Sequence, residues 1–368
     1  MADQHAKPAS SILLHFDPEH DDGAADEDQL VGQLSSVTAI GRELWLASDE
    51  ANTLERLTPL GPRTYGRHQQ FRLAELLELP GERDEEIDVE GLDHDGGYLW
   101  LVGSHGLKRR KAKPGRDAAR QIARLAEVRS DGNRFLVARV PLVRGDAGSV
   151  PQREAEGRHA ARLLGGRDGN VLTEALRGDA HLARFLDIPS KDNGFDVEGI
   201  AVSGDRVFLG LRGPVLRGWA VVLELRLEEI DGGFLGLVPG RKRRLYRKHF
   251  LDLRGLGVRE LCADGDDLLV LAGPTMDLDG PAAVYRWRDA PWDDDDDTLT
   301  GRDDLPELVA LPYGVGQDGA CDHPEGMTPW PATGADARRQ LLVVYDSPHR
   351  GRREADNGVR ADLFDLPD

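Results

Sequence analysis

The sequence predicts an all-β fold, a five-bladed β-propeller, and two observations carry this prediction. The segments DVEGLDHDGGYLWLVGSHG at 88–106 and DVEGIAVSGDRVFLGLRG at 196–213 repeat one pattern: a short strand that starts at Glu-Gly, a glycine turn, and a more apolar strand. Strand-like runs follow each copy, for example TLERLTPL at 53–60 and AVVLELRL at 220–227. Four strands in each unit, at a repeat of roughly 50–65 residues, are typical of propeller blades.

Five copies of the pattern can be aligned on the first residue of the inner strand. In the first four copies a strong apolar residue follows at the tenth position, as Trp100 follows Glu90. The fifth copy has a longer connection and only three strand-like runs, so we expect SILLHF at 11–16 to supply its fourth strand. Closing the ring in this way removes an exposed sheet edge and makes 11–368 a single domain. The aligned residues are Ser35, Glu90, Glu198, Glu260 and Glu325.

One segment interrupts the repeat, because the third copy starts about one blade late. Residues 146–192 hold the extra length, and the spacing of Leu172 and Leu176 within them indicates helix. We expect an inserted helical lid between blades 2 and 3, on the face where the inner strands begin. A six-bladed propeller, with this segment as a degenerate blade, is the alternative. Within blade 2 the run IARLAEV at 122–128 is expected to be a strand.

Composition and charge exclude several classes of protein. The chain has 368 residues, 31% of them charged, and a formal net charge of −19, which argues against a general nucleic-acid or anionic-membrane partner. No apolar run approaches the ~20 residues that a membrane helix needs. Residues 1–20 also lack the apolar centre of a signal peptide. We therefore expect a cytoplasmic protein, while the oligomeric state is left open.

The repeated carboxylates indicate a metal site on the propeller axis. In a propeller the innermost strand of each blade lines the central channel, so the five aligned residues are expected to form a ring near one mouth. Facing carboxylates repel one another unless their pKa values rise or a cation sits between them. Ca²⁺ suits such oxygen ligands best, with Mg²⁺ as the alternative. A structural alternative is that each Glu-Gly pair only positions its inner strand. The expected metal ligands are Ser35, Glu90, Glu198, Glu260 and Glu325.

Basic residues that follow the second strands are expected to surround the same mouth. Arginine binds phosphate oxygens in a bidentate manner, and histidine can act as an acid or a base near neutral pH. A metal with basic residues around it predicts a small anionic, phosphate-bearing ligand. The candidate catalytic residues are His105, Arg109 and Arg212, and the candidate substrate-binding residues are Lys108, Arg217 and His349.

Two resemblances to known families add to this interpretation. DVEGLDHDGGYLWLVGSHGLKR at 88–109, DVEGIAVSGDRVFLGLRGPVLRGWAVVLEL at 196–225 and HPEGM at 323–327 resemble an uncharacterised bacterial family that is filed as a domain of unknown function. More distantly, the Ser-Glu-Glu-Glu-Glu order of the blade starts, with LSSVTAIGRELWLASDE at 34–50, is similar to the calcium-activated nucleotidases, or apyrases. Those are five-bladed propellers with a central Ca²⁺ held by Ser and Glu. Phytase-like and esterase-like propellers share the Glu-Gly blade start.

Two functions remain open at this point. The resemblance to apyrases implies a divalent-metal-dependent hydrolase of phosphate esters or anhydrides that acts at the lidded channel mouth. The other hypothesis is a non-catalytic ligand-binding or scaffold propeller, in which a central cation only holds the blades together.

Overall fold

The computed structural model of the protein describes residues 5–18, 30–113, 115–240, 242–276, 279–290, 296–315, 321–330, 338–355 and 357–367. Within these ranges the fold is all-β and propeller-like, with antiparallel sheets and three short α-helices. In the same ranges, none of the helices is both long enough and apolar enough to cross a membrane.

The first unit of four antiparallel strands follows the predicted runs. Its strands alternate between the two faces of the sheet, and Trp45 and Leu54 are fully buried. Strand β1 precedes this unit in the chain and belongs to the last unit. The elements are β1 (Ser10–His15), a 3₁₀ turn (Leu30–Gly32), β2 (Leu34–Ile40), β3 (Glu43–Ser48), β4 (Thr53–Gly61), β5 (Thr64–Arg72) and helix α1 (Leu73–Leu76).

The second unit departs from the sequence prediction at residues 122–128, which are mostly helix. The Asp117 side chain accepts a hydrogen bond from the Arg120 backbone N–H at 3.0 Å and so caps the helix, and AARQIARLA contains few poor helix formers. The first part of this unit and its insertion comprise β6 (Val89–Asp95), β7 (Tyr98–Gly103), β8 (Lys108–Arg109), α2 (Ala118–Ala126), β9 (Val128–Arg129), a 3₁₀ turn (Gly132–Phe135) and β10 (Val137–Gly145).

Residues 146–192 differ from the expected helical lid, because short strands joined by turns occupy the segment as far as residue 170, and only residues 171–176 form an α-helix. Ala161–Leu163 pairs with Val137–Gly145 and so extends the second sheet. The only α-helix among these residues buries Leu172 and Leu176 in the core, because an apolar helix face is more stable there than over an open mouth. The elements are β11 (Gly148–Pro151), β12 (Glu154–Ala155), β13 (Arg158–His159), β14 (Ala161–Leu163), β15 (Gly165–Gly166), β16 (Gly169–Asn170), α3 (Val171–Leu176) and two 3₁₀ turns (Ala183–Phe185, Ser190–Asp192).

The remaining three units complete the fold, and the strand order in each runs outward from the first strand. In the last unit β31 pairs antiparallel with β1, which forms the outer strand. The elements are β17 (Asp196–Ser203), β18 (Arg206–Leu216), β19 (Trp219–Asp231), β20 (Phe234–Leu237), β21 (Arg247–Leu251), β22 (Gly257–Asp264), β23 (Asp267–Gly273), β24 (Ala282–Trp287), β25 (Thr298–Thr300), a 3₁₀ turn (Arg302–Asp304), β26 (Glu307–Leu311), β27 (Gly314–Val315), β28 (Cys321–Trp330), β29 (Gln340–Asp346), a 3₁₀ turn (Arg350–Arg352), β30 (Arg353–Glu354) and β31 (Gly358–Asp365).

The innermost strands contact one another in a closed cycle, in the order β2, β6, β17, β22 and β28. Apolar clusters fill the spaces between adjacent sheets; one of them joins Trp45 of the first unit to Leu101 of the second. Each of the other four clusters joins the next pair of units around the cycle. Burial between the sheets therefore drives the ring arrangement.

Steric constraints explain why a glycine follows the glutamate in the Glu-Gly pairs. A Cβ atom on Gly199 would lie 2.7 Å from the backbone nitrogen of Leu261, and one on Gly91 would lie 2.9 Å from that of Ile200. Gly326 packs in the same way against the backbone of the first inner strand. Glycine at these positions lets neighbouring inner strands approach more closely than any side chain permits.

Candidate functional site

The five inner strands begin at one mouth of the channel, and each has an irregularity in its pairing at the same place. The pairing shifts register between Leu34 and Ser36, and again between Val89 and Gly91. The corresponding shifts in the other three strands leave Glu198, Arg259 and Glu325 as the skipped residues. The equivalent positions around the mouth are therefore Ser35, Glu90, Glu198, Arg259 and Glu325.

The alignment of the fourth copy on Glu260 is therefore wrong by one residue. A shift of one residue along a strand turns the side chain to the opposite face, so Glu260 does not take the place that the sequence analysis gave it. The turn glycines carried the missing signal. Gly96 and Gly204 lie six residues after Glu90 and Glu198, and Gly265 lies six residues after Arg259.

The guanidinium of Arg259 lies among the glutamates of the ring. Its Nε is 2.9 Å from Oε2 of Glu198, and its Nη2 forms an ion pair with Glu325. Arg212, on strand β18, places a second positive charge beside Glu198. Its Nη1 lies 2.7 Å from Oε1 of Glu198, and its Nη2 lies 2.6 Å from Oδ2 of Asp196. Two guanidinium groups thus neutralise the Glu198 carboxylate through ion pairs.

Glu260 forms a separate connection inside the channel. Its Oε2 accepts a hydrogen bond from the Ser36 hydroxyl at 2.6 Å, and the same hydroxyl accepts one from the Leu92 backbone N–H at 2.9 Å. Its Oε1 accepts from the backbone N–H of Leu261 at 2.9 Å. Glu260 is fully buried, and burial raises the pKa of its carboxyl well above the usual value. This side chain links three inner strands and is structural.

Ser35 and Glu90 complete the ring without forming a shared ligand set. The Ser35 hydroxyl donates to the backbone oxygen of Val89 at 2.5 Å, which joins the first two inner strands. Among the residues that the structure describes, the Glu90 carboxylate has no hydrogen bond or ion pair. Burial, with the charges of Asp88 and Glu198 beside it, raises the pKa of Glu90 well above the usual value.

The donors present at the mouth do not fit the expected Ca²⁺ or Mg²⁺. A hard divalent cation needs about six or more oxygen ligands around one point, whereas a guanidinium lies between Glu198 and Glu325 here. Throughout the described ranges, no group of three or more His, Cys, Asp or Glu side chains is placed to hold a metal ion. Positive charge at the ring comes from the chain itself.

Negative charge still exceeds positive charge at the floor of the mouth. Burial, followed by the charge of Asp346, raises the pKa of Asp49 well above the usual value, and one oxygen of Asp49 is buried without a hydrogen-bond partner in the described part of the chain. Burial also raises the pKa of Asp196 to about 7, although Arg212 opposes this. The floor therefore favours protonated carboxyls or a ligand that donates hydrogen bonds.

A cleft of about 140 Å³ opens above this floor. Lys191 projects into it from the 3₁₀ turn before β17 and has no hydrogen bond or ion pair with any described residue. His323 lies on another wall, with Nε2 3.1 Å from Oδ1 of Asp279 and Nδ1 3.8 Å from Oδ2 of Asp346. The neighbouring carboxylates, Asp346 first and then Asp279, raise the pKa of His323. The charged lining residues are Lys111, Lys191, Arg212, Arg259, Asp279, Asp322, His323, Glu325 and Asp346.

His105, expected to be catalytic, is enclosed by the protein. Its Nδ1 lies 2.8 Å from the backbone oxygen of Gly103, and its Nε2 lies 2.8 Å from Nδ2 of Asn170. Burial lowers the pKa of His105 to about 4, so the ring is neutral near pH 7 and both nitrogens are engaged. His105 therefore positions the loop after β7 and has no free atom for substrate.

The other residues that were expected to be catalytic or to bind substrate lie at different distances from the cleft. Among them, only Arg212 lines it. Arg109 bonds Asp192 at 2.7 Å, and Lys108 bonds Glu86 at 2.9 Å, both near the protein surface. Arg217 lies in an exposed hairpin turn. His349 caps a 3₁₀ turn by accepting from the Gly351 N–H, and its Nε2 lies 3.7 Å from Oδ2 of the cleft residue Asp322.

Four basic residues of the cleft, Lys111, Lys191, Arg259 and His323, were absent from the sequence prediction. Arg259 could have been found from the constant distance to the turn glycine. Lys191 and His323 are brought to the mouth by the fold. No local sequence pattern distinguishes them from other Lys and His residues.

Comparison with protein families matches residues 33–362 to the protein of unknown function family DUF3616. The chain belongs to this family. A comparison with curated proteins finds no match.

Comparison with solved structures aligns this DUF3616 protein with several enzymes at low identity. Glutaminyl cyclase of Myxococcus xanthus is 10% identical, with 98% of this chain and 100% of that chain covered and a TM-score of 0.40. Virginiamycin B lyase of Staphylococcus aureus is 10% identical, with coverage of 97% and 88% and a TM-score of 0.34. Xylan β-1,4-xylosidase of Bacillus halodurans is 11% identical, with coverage of 92% and 54% and a TM-score of 0.38. These scores carry no argument about substrate, and none of these matches bears on the likeness to apyrases.

Replacing Glu260 by Gln should change the pH dependence of stability. Because burial raises the pKa of Glu260 in the folded state, its stabilising contribution is present at low pH and is lost as pH rises. Each tenfold difference in proton affinity is worth about 1.4 kcal/mol. We expect the free energy of unfolding of Glu260→Gln, relative to the wild type, to increase between about pH 5 and pH 8. Urea denaturation of both proteins at each pH measures the free energy of unfolding.

The exposed Glu228→Gln variant is the matched control and should show no such trend. A difference between Glu260→Gln and the wild type that is constant with pH would contradict the assignment of Glu260 as a buried, proton-retaining carboxyl.

Proposed function

We propose that this chain is a five-bladed propeller that binds a small phosphate- or carboxylate-bearing molecule in the mouth cleft, without a divalent cation. The observation that carries the binding proposal is that four cationic side chains line this one cleft. Five units, five inner strands in a closed cycle and five apolar clusters between them support the blade count. The four cations are Lys111, Lys191, Arg212 and Arg259.

The cations have different roles in this proposal. Arg212 and Arg259 are buried and already paired with carboxylates. They therefore form part of the cleft wall and contribute positive potential to it. Lys191 is exposed at the cleft and supplies the charge most available to a ligand. An ammonium group with three rotatable donors can follow a phosphate or carboxylate of varied position.

The carboxylates of the cleft narrow the ligand class. Glu325 and Asp346 line the same cleft as the cations, and Asp49 lies close enough to Asp346 for their charges to interact. Carboxylates accept hydrogen bonds, so the ligand should carry hydroxyl or amine donors as well as its anionic group. A phosphorylated polyol or an amino acid derivative has this pattern. The net charge of −19 favours such a small molecule over nucleic acid.

Binding should depend on Lys191. We expect Lys191→Ala to weaken binding of the best ligand in a panel of inorganic phosphate, glucose 6-phosphate and adenosine monophosphate about tenfold, which equals about 1.4 kcal/mol. The loss of one charge-assisted contact accounts for this change. Isothermal titration calorimetry in a chelating buffer measures the affinity.

Lys242→Ala is the control, since Lys242 lies on the third unit and pairs with Asp296. Equal affinities of wild type and Lys191→Ala, or no binding by the wild type to any member of the panel, would refute the proposed site.

Hydrolysis is a second candidate function, and the position of His323 favours it. An imidazole held between Asp279 and Asp346 is kept protonated to higher pH and can act as a general acid. In this mechanism water attacks the phosphorus of a bound ester and the phosphorus–oxygen ester bond breaks. The leaving alkoxide takes the proton of His323, and Glu325 accepts the proton of the attacking water.

Turnover should therefore require His323. If p-nitrophenyl phosphate or a member of the panel is hydrolysed, we expect His323→Asn to lower kcat by about a hundredfold or more. The wild-type rate should fall as pH rises through the raised pKa of His323, because the acid must be protonated. Steady-state kinetics in a chelating buffer measures both.

The exposed His159→Asn variant should keep full activity. Absence of turnover by the wild type would remove this second candidate and leave the binding function intact.

A further inference from the structure

The insertion between β7 and β10 has a charge opposite to that of the rest of the chain. This basic insertion, residues 108–113 and 115–129, contains nine Lys or Arg and two Asp or Glu, and so carries +7. Since the whole chain carries −19, the remainder carries −26. A segment of this composition is a localised electrostatic surface on an otherwise acidic protein.

The polar side chains of the helix in the basic insertion contact residues that precede it in the same insertion. The Gln121 side chain accepts a hydrogen bond from the Lys113 backbone N–H at 2.7 Å, and Nε of Arg124 donates to the backbone oxygen of Lys111 at 3.0 Å. The base of the insertion is fixed where Leu107 pairs with Pro189. The orientation of the helix is therefore set by hydrogen bonds.

The apolar side of the same helix faces solvent. Ile122 is 69% exposed, Leu125 is 45% exposed and Val128, just after the helix, is 42% exposed. Ile122 and Leu125 are three positions apart and lie on one face of the helix. No residue of helix α2 is buried. An amphipathic helix normally buries its apolar face, so this one lacks a partner within the described part of the chain.

We propose that the basic insertion is a docking surface for a second copy of this chain, which contributes an acidic surface. The remaining −26 of each copy attracts the +7 of another, and the three exposed apolar side chains supply the desolvated centre of the contact. A segment of about 21 residues also matches one side of a standard interface, about 20–30 residues.

The charges also determine the geometry of the contact. Two basic insertions repel each other, so the insertion of one copy docks on a different surface of the next.

Sedimentation velocity over a range of protein concentrations tests this proposal. At roughly 50 mM NaCl we expect the mass to rise with concentration above the 40.4 kDa of one chain, and at roughly 500 mM NaCl to return to it, because salt screens the attraction. The double variant Ile122→Glu, Leu125→Glu should weaken association at least tenfold. Arg116→Glu with Arg120→Glu should do the same without changing the apolar residues.

The control is Leu299→Glu, which places the same charge at a leucine that is 68% exposed on β25, and it should associate as the wild type does. Circular dichroism checks that every variant is folded. A wild type that stays monomeric at low salt, or variants of the insertion that associate normally, would overturn the proposal. A monomer that binds phosphatidylglycerol vesicles through the insertion would assign the surface to lipid and overturn it equally.

Discussion

The contact on which the mouth of this protein depends is the pairing of Arg259 with Glu198 and Glu325. Three of the five inner strands bring a glutamate to one narrow opening, and such charges could not be buried together unless something neutralised them. The fourth inner strand supplies an arginine at the equivalent position, and Arg212 adds a second guanidinium. Arginine side chains of the chain itself therefore neutralise the glutamates Glu198 and Glu325 of the ring.

This constraint explains the division of the channel into two regions. Below the ring, Glu260 and Ser36 connect inner strands through hydrogen bonds, and glycines such as Gly199 let neighbouring inner strands approach closely. Above the ring, the cleft is lined by both cations and carboxylates. The proposed ligand would contact residues of the rim, such as Lys191 and His323.

Much of the fold was predictable from the sequence, because alternation of apolar residues and glycine turns is a local property of each strand. The Glu-Gly repeats indicated the propeller-like architecture correctly, and nearly all of the quoted strand runs are strands. Two errors have clear causes. Most of the run at 122–128 lies in helix α2, because the helix cap and the helix propensities of its residues outweigh the expected strand pattern. In the fourth copy the glutamates of the other copies favour Glu260 as the aligned residue, whereas the distance to the turn glycine indicates Arg259. The rim residues could not be predicted, since loops distant in sequence meet there. The expected cytoplasmic location stays a prediction.

The central claim, that Arg259 takes the place of a metal ion, is tested most directly by calorimetric melting in a chelator and in excess Ca²⁺. A metal bound by the folded state alone would stabilise it by about 2.7 kcal/mol at a hundred times its dissociation constant. The account predicts that the wild type has the same melting temperature in both buffers, and that Arg259→Gln melts lower because Glu198 and Glu325 lose a buried partner. A wild type that is destabilised by the chelator and restored by Ca²⁺ would contradict it.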